Sequence, residues 1–120
     1  MIVCEVDIRV GRHIVRPDLI GCRRERWDAA TRERPVALLP DWICEILSPG
    51  NARHDRLRKM DLYSQTGVPH VWLVDPVERL LEVCTLTPQG YVRVSGGGDS
   101  DAGRYAPFEA QEIALADWWA

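Results

Sequence analysis

Alternation of apolar and polar side chains organises the start of the chain. Cys4-Glu5-Val6-Asp7-Ile8-Arg9-Val10 repeats with period two, the mark of a strand with one buried face. Gly11-Arg12 suits a tight turn, and His13 to Cys22 reads as a second strand. Pro17 within it is tolerable only at an edge, a bulge or an irregular point, because it has no amide hydrogen to give to a ladder. From Arg23 to Pro40 the periodicity dissolves into charge, and the segment reads as a loop with room for a helical turn. Trp42 to Leu47 is nearly all apolar, as a central strand buried on both faces requires.

Ser48-Pro49-Gly50 ends that strand, and Asn51 is placed to cap a helix from Ala52 to Thr66, with Leu57, Met60 and Ser64 along one side. Gly67 can close the helix in the left-handed conformation, and Pro69 prevents its resumption. Val71 to Val74 is another buried strand, turned at Asp75-Pro76, and Leu80 to Leu86 with Tyr91 to Val94 form a terminal hairpin. Gly96-Gly97-Gly98-Asp99-Ser100-Asp101 reads as a flexible link, and Ile113 to Trp119 as a short turn folding its indoles back over the sheet. The order β-β-β-α-β-β-β gives a mixed α+β fold with a central mixed sheet and one main crossover helix. One helix cannot cover both faces of that sheet. The C-terminal segment, a partner subunit or a further N-terminal piece has to cover the other.

Composition narrows the class. A chain of 120 residues has room for one domain, 1–120, with its core over 2–86 and the C-terminal hairpin and tail over 87–120. With 46% hydrophobic and 28% charged residues the composition is that of a soluble globular protein. No apolar run approaches the ~20 residues that span a bilayer. Met1-Ile2-Val3-Cys4-Glu5 lacks the basic flank and apolar stretch of a secretion signal, so the cytoplasm is the expected location. Cys4, Cys22, Cys44 and Cys84 contain no C-x-x-C pair and sit in apolar stretches, which points to buried reduced thiols rather than zinc ligands. A net charge of −3 lacks the basic surplus common among nucleic-acid binders, leaving only local clusters of arginine to meet phosphate.

Three residues stand out against this background. Glu45 interrupts Trp42-Ile43-Cys44-Glu45-Ile46-Leu47, where both strand faces are otherwise apolar. A buried carboxylate there needs a cation, either a metal or the arginine of a structural ion pair. Asp18, after Pro17, is an acid entering an apolar strand; it is a turn or bulge residue, or one half of a carboxylate pair with Glu45. Such oxygen ligands suit Mg²⁺ or Mn²⁺. Lys59 is the only lysine among fifteen Lys and Arg residues, and it lies on the helix that follows Glu45. It is either a catalytic ammonium or the partner of Asp55 at i,i+4. Weaker candidates are the arginines Arg23, Arg24, Arg26, Arg32 and Arg34 as a DNA-facing loop, and His54 beside Arg53 and Arg56 as a phosphate contact. His13 and His70 are scattered, and Tyr63 lies one turn beyond Lys59 and packs beside it. Trp118 and Trp119 form a possible association patch, and the first strand offers an edge through which a homodimer could form.

Four blocks, in order, then resemble one family. Arg16-Pro17-Asp18-Leu19-Ile20, Glu45-Ile46-Leu47-Ser48-Pro49, Asp55 to Tyr63 and Gly67 to Pro76 look like the Uma-type restriction endonuclease family. That family lies within the restriction-endonuclease-like PD-(D/E)XK superfamily. The resemblance runs from about Ile14 to Leu86, with a fainter echo to the C-terminus. It implies a metal-dependent endonuclease acting on DNA phosphodiesters, with Mg²⁺ or Mn²⁺ held by Asp18, Glu45 and the backbone carbonyl of Ile46. Asp18, Glu45 and Lys59 would be the catalytic residues. The superfamily usually places its lysine two residues after the second acid, where this chain has Leu47; Lys59 matches a variant in which the lysine has moved to the following helix. Relatives usually carry an additional N-terminal helix and strands, so the expected fold lacks that extension. A catalytically inactive nucleic-acid-binding or assembly module on the same fold is the alternative.

Overall fold

The computed structural model describes residues 2–4, 6–10, 12–29, 37–48 and 52–119. Among these, a six-stranded mixed sheet has the order β1 (Ile2–Cys4), β4 (Leu19–Gly21), β5 (Trp42–Ile46), β6 (His70–Asp75), β7 (Leu80–Thr87) and β8 (Gly90–Gly98). All neighbours are antiparallel except β5 and β6. That parallel pair is joined by the 15-residue helix α2 (Ala52–Thr66), the crossover a parallel connection demands. A hairpin of β2 (Ile8–Val10) and β3 (His13–Val15) stands apart from the sheet. The short α1 (Arg24–Ala29) follows β4, and β9 (Ala102–Gly103), β10 (Ile113–Ala114) and a 3₁₀ turn over Leu115–Trp118 close the chain.

Period two in the strands divides the core between the two faces of the sheet. On one face Ile20, Ile43, Val71 and Leu73 pack with Tyr63 of α2, Val68 and Ile8 of the hairpin. On the other, Trp42, Cys44, Trp72, Val74, Leu81 and Val83 pack with Tyr105 and Leu115. The second face is covered by the C-terminal segment, one of the three covers that the pattern allowed. Trp72 anchors it, donating from Nε1 to the Ala106 carbonyl at 2.6 Å and meeting the Phe108 ring edge-on at 5.5 Å. The indole of Trp118 lies 6.1 Å from that of Trp72, so the tail does bring indoles over the sheet.

Helix α2 ends as its sequence requires. Gly67 has φ +94°, and the amides of Gly67 and Val68 both donate to the Tyr63 carbonyl. Asn51, expected to cap the other end, lies outside the described residues, as do Arg32 and Arg34. Among the described residues no helix is long and apolar enough to cross a membrane.

Three sequence expectations need correction. The single strand read over Cys4 to Val10 is two strands in different sheets, β1 and β2. The strand read over His13 to Cys22 is likewise two, β3 and β4, broken at Arg16-Pro17-Asp18, where proline cannot complete a ladder. The helical turn that the Arg23–Pro40 loop had room for is α1. The largest difference is Gly96-Gly97-Gly98, which is not a link but the end of β8, paired with β7 at Glu82, Leu81 and Leu80.

Candidate active site

The β4–β5 ladder explains how two distant acids meet. Leu19 pairs with Cys44, Ile20 with Ile43 and Gly21 with Trp42. Continuing that register by one residue sets Asp18 opposite Glu45. Residues directly opposed in an antiparallel pair share a face of the sheet. Here it is the face of Ile20 and Ile43, under α2. Pro17 interrupts regular pairing at this point, and the Asp18 carboxylate takes over the bonding: its Oδ2 accepts from the Ile46 amide at 2.6 Å.

Glu45 is 6% exposed, the one buried charged residue among those described. Two side chains of α2 reach it. Tyr63 donates its hydroxyl to Oε1 at 2.5 Å, and Lys59 Nζ stands 3.4 Å from Oε2. The first is a short charge-assisted bond. The second exceeds the ~3.2 Å limit of a good N–H···O bond and is chiefly a coulombic contact. Burial raises the Glu45 pKa above the ordinary glutamate value; the Tyr63 bond and the Lys59 charge oppose that rise, and the neighbouring Asp18 adds to it.

Asp18, Glu45, Ile46 and Lys59 line one pocket of about 160 Å³, together with Leu47, Ser48 and Arg56. Helical spacing accounts for the far wall. Arg56, Lys59 and Tyr63 recur at i, i+3 and i+7 and so share one stripe of α2. Sequence reasoning gave Arg56 only a passing place beside His54 and gave Tyr63 a packing role; the stripe leading back to Glu45 was the available signal.

Other candidates lie elsewhere. His70 is at the opposite end of the β5–β6 pair, beside Trp42, within 3.5 Å of Thr85 Oγ1. His13 is exposed on β3. Arg26 pairs with Asp41 and donates to the Leu39 carbonyl, while Arg23 and Arg24 are exposed. The side chains of His54 and Asp55 lie outside the described set.

The pocket's donors suit a hard cation. Two carboxylates and a nearby main-chain carbonyl are oxygen ligands of the kind Mg²⁺ and Mn²⁺ prefer. Among the described residues no cluster of three or more His, Cys, Asp or Glu occurs. An ion here would therefore keep several waters, as Mg²⁺ habitually does.

A family model described as "Uma2: Putative restriction endonuclease" matches residues 1–116. The chain belongs to the Uma2 family. A crystal structure described as a putative nuclease belonging to DUF820, from Anabaena variabilis, superposes with a TM-score of 0.70 at 22% identity. The match covers 97% of this Uma2 chain and 65% of the Anabaena chain, so the fold is shared and the present chain spans about two thirds of that relative's length. No curated protein sequence matches the Uma2 chain.

Proposed function

We propose that this Uma2 chain is a metal-dependent endonuclease that hydrolyses phosphodiester bonds in DNA. Asp18, Glu45 and the Ile46 carbonyl would hold Mg²⁺ or Mn²⁺, with Lys59 as the catalytic cation. One observation carries the reading: two acids far apart in sequence oppose each other across β4 and β5 and line a single pocket with Lys59. The family description supports a nuclease in general terms; the metal, the DNA substrate and the residue roles are the proposal.

When bound, the ion would supply Lewis-acid polarisation of the phosphate and a more acidic attacking water. Lys59 contributes a fixed ammonium on the pocket wall, placed to stabilise negative charge growing on the phosphate oxygens. Arg56, one turn earlier on α2, forms no ion pair among the described residues and can present its guanidinium to a phosphate. With Arg58, these side chains make the exposed flank of α2 locally basic despite the net charge of −3. Tyr63 and the Ile46 amide hold the two acids in place.

A second reading has an observation of its own. Both oxygens of Glu45 and one of Asp18 already have partners within the protein, as in a structural ion-pair network. A non-catalytic nucleic-acid-binding or assembly module would keep that arrangement.

Plasmid cleavage with Mg²⁺ and with Mn²⁺ separates the two. Wild type should nick or linearise DNA, and Asp18→Ala and Glu45→Ala should each lower the rate by about a hundredfold or more. Lys59→Ala should lose activity while still binding Mn²⁺ in a calorimetric titration. Cutting that survives both acid substitutions would relocate the site. Mn²⁺ binding with no cleavage of plasmid would favour the module.

A further inference from the structure

Two cavities meet at Trp42, whose side chain is on the face of the sheet opposite to Glu45. The first, of about 470 Å³, is lined by Arg23, Asp41, His70 and Pro107 near the start of β5. The second, of about 530 Å³, runs along β5 and β6 past Leu19, Cys44, Ile46, Val74 and Ile113. Ile2, Trp42 and Phe108 line both, so the two are neighbouring compartments of one groove. Each has the size of a small-molecule site.

The compartments differ in chemistry. No charged side chain lines the second, and Gln111 is its one side-chain amide. The first is rich in donors. Arg23 is exposed and forms no ion pair among the described residues. Asp41 is already engaged, through Oδ1 with Arg26 and through Oδ2 with the Arg23 amide at 3.0 Å. Between the compartments, Trp42 is 4% exposed, yet its Nε1 has no hydrogen-bond partner among the described residues. A buried N–H without an acceptor is costly and calls for one. The indole rests against β4, where a Cβ at Gly21 would stand 2.9 Å from its Cε3.

We propose that this groove binds an amphipathic acid, a small molecule with an anionic head and an unbranched apolar tail. The head lies in the first compartment against Arg23, with an oxygen at the junction as acceptor for the Trp42 N–H. The tail lies in the second, among aliphatic and indole side chains. A carboxylate answers both donors at once, because charge-assisted bonds are the stronger kind and a guanidinium is suited to receive it. The apolar compartment gains by removing the tail from water. This site is independent of the nuclease reading, and plasmid cleavage is not its readout.

The test is tryptophan fluorescence of the full chain titrated with hexanoate, octanoate and decanoate. Acetate and 1-decanol serve as head-only and tail-only controls, and every probe is kept below the concentration at which it aggregates. Trp42, Trp72, Trp118 and Trp119 line the groove, so occupancy changes the emission. Decanoate should bind one to one, with affinity falling about tenfold for each two methylenes removed. Decanol should bind about tenfold more weakly than decanoate, and Arg23→Gln should lower decanoate to the decanol level without changing decanol. In ¹H–¹⁵N spectra the Trp42 indole N–H, assigned by its loss in Trp42→Phe, should move downfield with decanoate and not with decanol. Decanol binding as tightly as decanoate, several decanoates per chain, or an unmoved Trp42 signal at saturation would each overturn the proposal. Light scattering on the same samples covers the other occupant. A chain that self-associates and takes up no decanoate uses the groove as an interface between copies, and the proposal fails.

Discussion

Burial shapes the chemistry of individual side chains on both faces of the sheet. Cys44 lies on the opposite face of β5 from Glu45, and burial, with Glu45 and Asp18 nearby, pushes its thiol up to about 12. Burial also raises Cys22 and Cys84 above the ordinary 9.0. For an acid with a raised pKa, the folded state holds the proton more tightly than the unfolded chain does. That contribution to stability is complete below 9.0 and is lost as pH rises through the folded values. Two outcomes follow. At neutral pH iodoacetamide should leave Cys22, Cys44 and Cys84 unmodified in the native protein and label them after denaturation, as read by mass spectrometry. The melting temperature should fall with increasing pH above 9.0, less steeply in Cys84→Ala. Fast labelling of the native protein at any of the three would contradict the assigned burial. At this scale the sequence already exposed Glu45, because a charge in an apolar strand needs a cationic partner. It did not expose what holds the Glu45 carboxylate, since a tyrosine 18 positions away contacts it only once a helix has been laid across the strand.

Among the elements, β8 is the most instructive. A run of three glycines looks like a link because glycine adds nothing to a strand's apolar pattern. In the folded chain it is the closeness of neighbours that glycine serves. A Cβ at Gly96 would collide with the main-chain oxygen of Leu81 on β7, and one at Gly97 would stand 2.9 Å from the Tyr105 hydroxyl. Gly96→Ala should therefore destabilise the protein by about 1–3 kcal/mol, measured by urea denaturation, because the clash is with backbone and cannot be relieved by a rotamer change. A variant as stable as wild type would mean that the β7–β8 pairing can shift. Helix α2, by contrast, was legible almost to the residue, since its stop signals, Gly67 and Pro69, act locally. The breaks in the first two strands were not, because strand partners are set by sheet order and not by period two.

For the molecule as a whole, the unequal covering of the two faces matters most. Helix α2 and the β2–β3 hairpin close one face; the segment from Tyr105 onward closes the other, around Trp42 and Trp72. Removal of residues 105–120 should leave a chain that binds a hydrophobic dye, loses cooperative melting and associates with rising concentration. Light scattering and thermal melts would check this. A truncated chain that stays monomeric and melts sharply would show that the aromatic face tolerates water. The central mixed sheet and the one main crossover helix were expected from the sequence. Indoles of the tail over the sheet were expected too; the part of Tyr105 and Leu115 in covering that face was not, since the tail's short apolar pieces carry no period that names a target.

Asp18 has one more consequence. Where the β4–β5 ladder runs out, a side-chain oxygen supplies the rung that a peptide carbonyl would otherwise provide. Scaffolding and electrostatic charge thus reside in one functional group, and an alanine exchange removes both together. Asparagine keeps an acceptor for the Ile46 amide while discarding the charge, so the two roles of this carboxylate are separable by a single isosteric change.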